Sequence, residues 1–151
     1  MSAPNSTLRP HPPATRPAGE AYLAVAGLLD RYYDALYHGD VERLNRAFHP
    51  TATYATASGG ELLQLDLAAY LARVAARAAP ATRGDAYGFR LDAIEFAGPT
   101  TALARLRSSM LGKRFVDFLA LLRVDGEWRI AAKVFHYDDA RDEASTPTGG
   151  S

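Results

Sequence analysis

The sequence predicts an α+β fold, with three N-terminal helices segregated to one face of a strongly curved, mixed or antiparallel sheet in the order ααββαββββ. Two observations carry the prediction. The last third reads as two long apolar strands around Asp125-Gly126, a dipeptide whose two positions both accept the positive φ of a tight hairpin. The N-terminal half instead carries apolar residues at helical spacing, broken by Gly39, Pro50 and Pro80. At 151 residues, 48% hydrophobic and 23% charged, the chain is long enough for one domain with a real core.

The elements follow in order. Residues 1–18 hold five of the nine prolines and almost no large apolar side chain, so a disordered tail is expected there. A first helix is expected from about Glu20 to Tyr37, with Tyr22, Val25, Leu29, Tyr33 and Leu36 on one stripe and Asp30, Arg31 and Asp34 opposite. Gly39 stops it, and Asp40 is placed to cap a short second helix carrying Val41, Leu44 and Phe48, ended by Pro50. Thr53–Ala57 and Leu62–Leu65 flank Ser58-Gly59-Gly60 as a short hairpin. Asp66 opens a third helix whose alanine-rich body, Ala68 to Ala79, favours helix by propensity. A four-strand meander then runs from Tyr87–Phe96 through Ala102–Met110 to the final hairpin, and the end from about Asp139 reads as a second tail. One domain over 19–138 results.

Composition narrows the function classes. Lys+Arg and Asp+Glu balance at 17 each, so no net field recruits nucleic acid or an anionic membrane. The chain has no cysteine, which removes disulfides, thiolate metal sites and cysteine nucleophiles together. No stretch approaches a membrane span and no apolar signal core stands at the N-terminus, so a cytoplasmic protein is expected. Four histidines without short ligand spacing, and no Gly-rich loop between strand and helix, lead to no expected metal and no expected cofactor.

The element order, Tyr-His-Gly-Asp-Val-Glu-Arg-Leu at 37–44, Phe48-His49-Pro50 and the closing Asp-Gly-Glu-Trp-Arg-Ile resemble the nuclear transport factor 2-like superfamily. Within it the chain is most similar to the putative lumazine-binding family, through Phe115-x-Asp117-x-Leu119-x-Leu121 and Ala132-Lys133-Val134-Phe135-His136. The resemblance spans roughly Ala21 to Tyr137. It implies a cone: a bent sheet wrapped around helices, a pocket at the wide end, and pairing through the sheet's outer face. It leaves function open, because one superfamily holds isomerases, cyclases, dehydratases and adaptors.

Strand alternation sorts the hairpin into faces. Phe115, Asp117, Leu119, Leu121, Trp128, Ile130, Val134 and His136 share one, assigned to the cone interior; Val116, Phe118, Leu122, Arg129, Lys133 and Phe135 share the other. A turn at Gly112-Lys113 would set Ser108 opposite Asp117 and Met110 opposite Phe115. The second face mixes apolar residues with arginine and would expose an apolar patch of about several hundred Å² unless covered. A homodimer through Val116, Phe118, Leu122 and Phe135 is the simplest cover.

Asp117 and His136 are the candidate catalytic residues, as diagonal cross-strand neighbours. A carboxylate in an apolar pocket, its pKa raised by desolvation, is suited to abstract a proton beside a carbonyl. The same residues also read as a structural Asp–His or Asp–Lys pair. Tyr33, Tyr37, Tyr54 and Tyr70, with His49, Ser108, Phe115 and Trp128, are the candidate ligand-binding residues, since a tyrosine joins a flat apolar ring to a polar tip. Tyr87 belongs to the same tyrosine set, and Arg73, Arg77 and Arg83 read as a solvated basic face. The functional expectation is a homodimer holding an apolar or aromatic small molecule in the cone. The alternatives are an isomerase-, cyclase- or dehydratase-type enzyme with Asp117 as general base, and a non-catalytic adaptor.

Overall fold

The computed structural model describes residues 18–140. The expected tails, 1–18 and 139–151, lie outside those residues except for Ala18, Asp139 and Ala140. Helix α1 (Ala18–His38) is followed by α2 (Val41–Ala47), strands β1 (Phe48–Thr56) and β2 (Leu63–Asp66), α3 (Leu67–Ala76), a single turn α4 (Pro80–Arg83), and the meander β3 (Phe89–Phe96), β4 (Thr101–Met110), β5 (Lys113–Val124) and β6 (Glu127–Asp139). The expected order holds, with α4 added ahead of the meander.

Local chemistry explains the boundaries. Asp40 caps α2 by accepting from the Arg43 backbone N–H at 3.2 Å, and Asp66 caps α3 by accepting from Ala69 N–H at 2.8 Å. Gly39 adopts φ 65 between α1 and α2, the conformation that favours glycine. Pro50 does not end α2. The chain is already extended at Phe48, whose backbone pairs with Ile130 of β6. Pairing resumes only at Thr53↔Ala132, and Pro50, which offers no N–H to a ladder, sits inside that break.

The six strands form one mixed sheet in the order β2-β1-β6-β5-β4-β3, with β1 and β6 parallel and all other pairs antiparallel. The helices pack on its concave side. Val25, Leu28, Leu29, Tyr32, Tyr33 and Leu36 of α1 meet Ala104, Leu106, Leu119, Leu121 and Ile130 of the sheet in one core. Tyr22, expected on the buried stripe, is 44% exposed; Leu28 and Tyr32 take up the inward positions instead.

Two turns and one extra residue fix the register. Asp125 (φ 52) and Gly126 (φ 79) form the tight β5–β6 turn as expected. The β4–β5 turn uses Leu111 (φ 57) and Gly112 (φ 71) rather than Gly112-Lys113, so the pairs become Ser108↔Phe115, Leu106↔Asp117 and Met110↔Lys113. That is a slip of two residues, which preserves the faces. The carboxylate of Asp85 holds the turn by accepting from Leu111 N–H at 2.8 Å. The third device is a β-bulge. Ala120 pairs with Ala132 but Leu121 pairs with Ile130, leaving Ala131 as an extra residue in β6. Beyond it every side chain of β6 changes face.

Candidate functional site

The bulge at Ala131 turns Lys133 and Phe135 into the cone and Val134 and His136 out of it. Lys133 is buried and lies opposite Leu119, Phe135 is buried opposite Asp117, and Val134 is 52% exposed. The expected pairing of Asp117 with His136 is therefore replaced by Asp117 with Lys133: Nζ lies 3.9 Å from Oδ2, both side chains being 6% exposed. His136 instead stands on the outer surface, where its Nδ1 meets Ser58 Oγ at 3.0 Å and its Nε2 meets Asp138 Oδ1 at 3.0 Å. Ser58 Oγ also accepts from Tyr137 N–H at 3.1 Å, so the three side chains staple the β1–β2 turn to β6.

Around the buried couple, helices α1 and α3 and strands β1 and β6 each contribute an aromatic ring. The Lys133 ammonium lies over four of them: Phe135 at 5.1 Å, Tyr32 and Tyr70 at 5.4 Å, and Tyr54 at 5.5 Å from the ring centroids. A desolvated cation gains about 2 kcal/mol from such a face. The rings order one another: Tyr54 stacks on Tyr70 at 4.4 Å between centroids, and Phe48 meets Tyr70 edge-on at 5.6 Å.

Asp117 accepts from the Tyr32 hydroxyl at 3.4 Å, through the same Oδ2 that faces Lys133. Its other oxygen, Oδ1, is buried and has no partner. Two further buried polar atoms make no well-formed hydrogen bond, Arg77 Nε and the Tyr70 hydroxyl, the latter with only a weak approach to Tyr32. Their residues line one small cavity of about 20 Å³ with Leu36, Tyr54, Ser108, Met110, Leu111, Phe115 and Lys133. Buried polar groups are normally satisfied, and an unsatisfied one costs about 1–3 kcal/mol. A space this size admits one water-sized polar group.

The electrostatics follow from burial. Desolvation raises the Asp117 carboxyl above the usual aspartate range, opposed by the Lys133 charge and the Tyr32 hydrogen bond. Burial likewise raises the Tyr32 and Tyr70 hydroxyls, and the Asp117 charge adds to both. Tyr32 and Tyr70 therefore remain protonated and able to donate. Arg77 donates, Asp117 Oδ1 accepts, and the Tyr70 hydroxyl does either.

Of the residues singled out in the sequence, Asp117, Tyr54, Tyr70, Ser108 and Phe115 come together here. The others do not. Tyr33 accepts from Gly88 N–H at 2.9 Å and Tyr37 donates to the Asp85 carbonyl at 2.6 Å, anchoring the α4–β3 connection in a cluster with Tyr87 and Phe89. His49 Nδ1 meets Thr51 Oγ1 at 2.7 Å within the break in β1. Trp128 packs edge-on against Phe96, away from the cavity. Lys133, expected on the other face yet raised as one half of an Asp–Lys pair, and Arg77, expected on a solvated basic face, were not among the candidate site residues. Simple alternation put Lys133 outside, and Arg77 reads as part of a basic face, whereas its Nε is buried; the alanine pair at 131–132 is the faint mark of the bulge. Tyr32 lies one residue off the expected stripe through Tyr33 and Leu36, which is why helical periodicity does not mark it.

A family model described as putative lumazine-binding matches residues 20–136. Similar solved structures include a nuclear transport factor 2-like protein of unknown function from Silicibacter pomeroyi (27% identity, TM-score 0.68, 80% of this chain and 98% of that one). Others come from Methylobacillus flagellatus (26%, 0.70, 79% and 93%) and Shewanella baltica (23%, 0.71, 80% and 96%), both also nuclear transport factor 2-like and of unknown function. A comparison with curated proteins returns no match.

Proposed function

The chain belongs to the putative lumazine-binding family of the nuclear transport factor 2-like superfamily, and from that premise we propose that it binds a small, flat, polar-edged molecule at the Asp117–Lys133 end of the cone. The observation that carries the proposal is that three residues, each with a buried polar atom lacking a hydrogen bond (Asp117 Oδ1, Arg77 Nε and the Tyr70 hydroxyl), line one cavity. A ligand edge that offers a donor beside an acceptor, as a cyclic amide does, satisfies carboxylate and guanidinium together. The cavity of about 20 Å³ takes that edge. The apolar body then spreads over Phe115 and Leu111, the half-buried side chains of the lining. The rest of the interior is filled by core side chains, which limits the ligand's depth of entry.

The protein acts as a homodimer in this reading. Phe118 (48% exposed), Leu122 (40%), Leu103 (45%) and Val134 (52%) lie on the convex face of adjacent strands, beside half-buried Val116. Phe135, expected in that interface, is turned inward by the bulge, and Val134 takes its place. Among the described residues, no helix is long and apolar enough to cross a membrane.

A thermal-shift screen against lumazines, flavins, steroids and small aromatic lactams tests the reading. A ligand at ~100 times its dissociation constant adds about 2.7 kcal/mol of stability. A shift abolished by Asp117→Asn or Arg77→Ala supports the site. No shift across the panel, with the dimer intact, leaves the convex sheet face as the functional surface and favours the adaptor.

A second reading rests on the raised pKa of Asp117 and the donors beside it. Oδ1 would take a proton from a carbon next to a carbonyl while the Tyr70 hydroxyl donates to the developing enolate oxygen. Turnover of a bound ketone in the wild type, lost in Asp117→Asn, distinguishes this enzyme from a binding protein.

A further inference from the structure

A second concavity lies beside the β5–β6 turn and shares no lining residue with the Asp117 cavity. Its volume is about 490 Å³, within the range of small-molecule sites. Leu23, Ala24 and Leu28 of α1, Ala47 of α2 and Trp128 of β6 supply an apolar surface. Four guanidinium groups surround it (Arg31, Arg43, Arg46 and Arg129) against one carboxylate, Glu127.

Not all four charges are free. Arg43 is committed to Asp34 at 2.7 Å and Asp40 at 2.9 Å, and Arg129 to Glu127 at 3.1 Å. Among the described residues, Arg31 and Arg46 make no ion pair. Arg31 folds back along α1 over Gly27, where a Cβ would sit in ordinary van der Waals contact 3.4 Å from the guanidinium. Two cations without an ion pair beside an apolar wall, Arg46 acting on Asp40 only from beyond contact distance, suit an anion with a flat body. Guanidinium forks match carboxylate and phosphate alike.

We propose that this groove binds a small organic anion, a phosphate monoester or aromatic dicarboxylate, with its charged groups on Arg31 and Arg46 and its flat body against Trp128. The chain's own ends do not fit the role. Residues 1–17 carry Arg9 and Arg16 and no carboxylate, so they repel the groove. The acidic Asp142 and Glu143 follow Ala140, whose N–H is bonded to the Gly112 carbonyl at 3.0 Å, at the far end of β6. β6 is 13 residues long. At about 3.3 Å per residue it carries the chain up to roughly 40 Å along the sheet from the groove.

Trp128 is the chain's single tryptophan and reports on the groove directly. Titration with adenosine monophosphate and with isophthalate, followed by Trp128 fluorescence, tests the proposal, with adenosine and inorganic phosphate as the body-only and anion-only probes. The expected result is saturable quenching by one of the two anions, weakened by added salt, with adenosine and phosphate at least about tenfold weaker. Which of the two binds assigns the phosphate or the carboxylate class. Arg31→Gln and Arg46→Gln, both at exposed side chains, should each weaken binding about tenfold while the circular dichroism spectrum is unchanged. Absence of quenching by either anion at millimolar concentration overturns the proposal, as does quenching that both variants leave unaltered.

Discussion

Lys133 Nζ sits 3.9 Å from Asp117 Oδ2, although simple alternation along the hairpin places the two residues on opposite faces. The single extra residue Ala131 makes the contact possible, and the aromatic ring of Tyr32, Tyr54, Tyr70 and Phe135 makes it tolerable, since it supplies π faces to an ammonium that has left water.

Removing one partner strands the other. Lys133→Met should destabilise the fold by about 3 kcal/mol in urea unfolding, because a buried carboxylate loses its counter-charge. Combining it with Asp117→Leu should cost less than the sum of the two single changes, since neither charge is then left behind. Additive costs would show that the two side chains do not act as a pair.

Stability should also carry a pH signature of Asp117. Its pKa is raised in the folded state, so the native protein binds more protons than the unfolded chain between the ordinary aspartate value, about 4, and the raised one. In that window stability falls as pH rises. Above the raised pKa the loss is complete and constant. The difference in unfolding free energy between the wild type and Asp117→Asn, measured from pH 3 to pH 8, should therefore shift against the wild type as pH increases and then level off. A flat difference would mean that the carboxyl titrates alike in both states.

Tyr70→Phe separates stability from binding. The hydroxyl makes no well-formed hydrogen bond in the fold, only a weak approach to the Tyr32 hydroxyl, so its loss should change the melting temperature little. The thermal shift from a cone ligand should shrink, because that hydroxyl is one of three groups the ligand satisfies. A fall in stability of about 1 kcal/mol or more would show that the hydroxyl already has a partner.

Phe118→Glu and Val134→Glu place charge in the centre of the convex face without touching the core. Each should convert the proposed dimer to a monomer in sedimentation at micromolar concentration, with the circular dichroism spectrum preserved. A wild type that sediments as a monomer would remove the interface altogether.

Much of the architecture was legible in the residues themselves. Asp40, Asp66, Gly39 and Asp125-Gly126 act over three or four positions, so caps and turns declare themselves locally. The apolar stripes then place the helices on the concave sheet, and Asp117 stood out as a lone carboxylate on an apolar strand face. Tertiary structure decided what no local rule encodes. The β4–β5 turn fell at Leu111-Gly112 because Asp85, from the α4–β3 connection, accepts the Leu111 N–H. The β6 bulge at Ala131 coincides with the break in β1 between Phe48 and Thr53, so three strands settle it jointly. Because side chains alternate with period two, that one residue exchanged His136 and Val134 for Lys133 and Phe135 inside the cone, and with them the partner of Asp117.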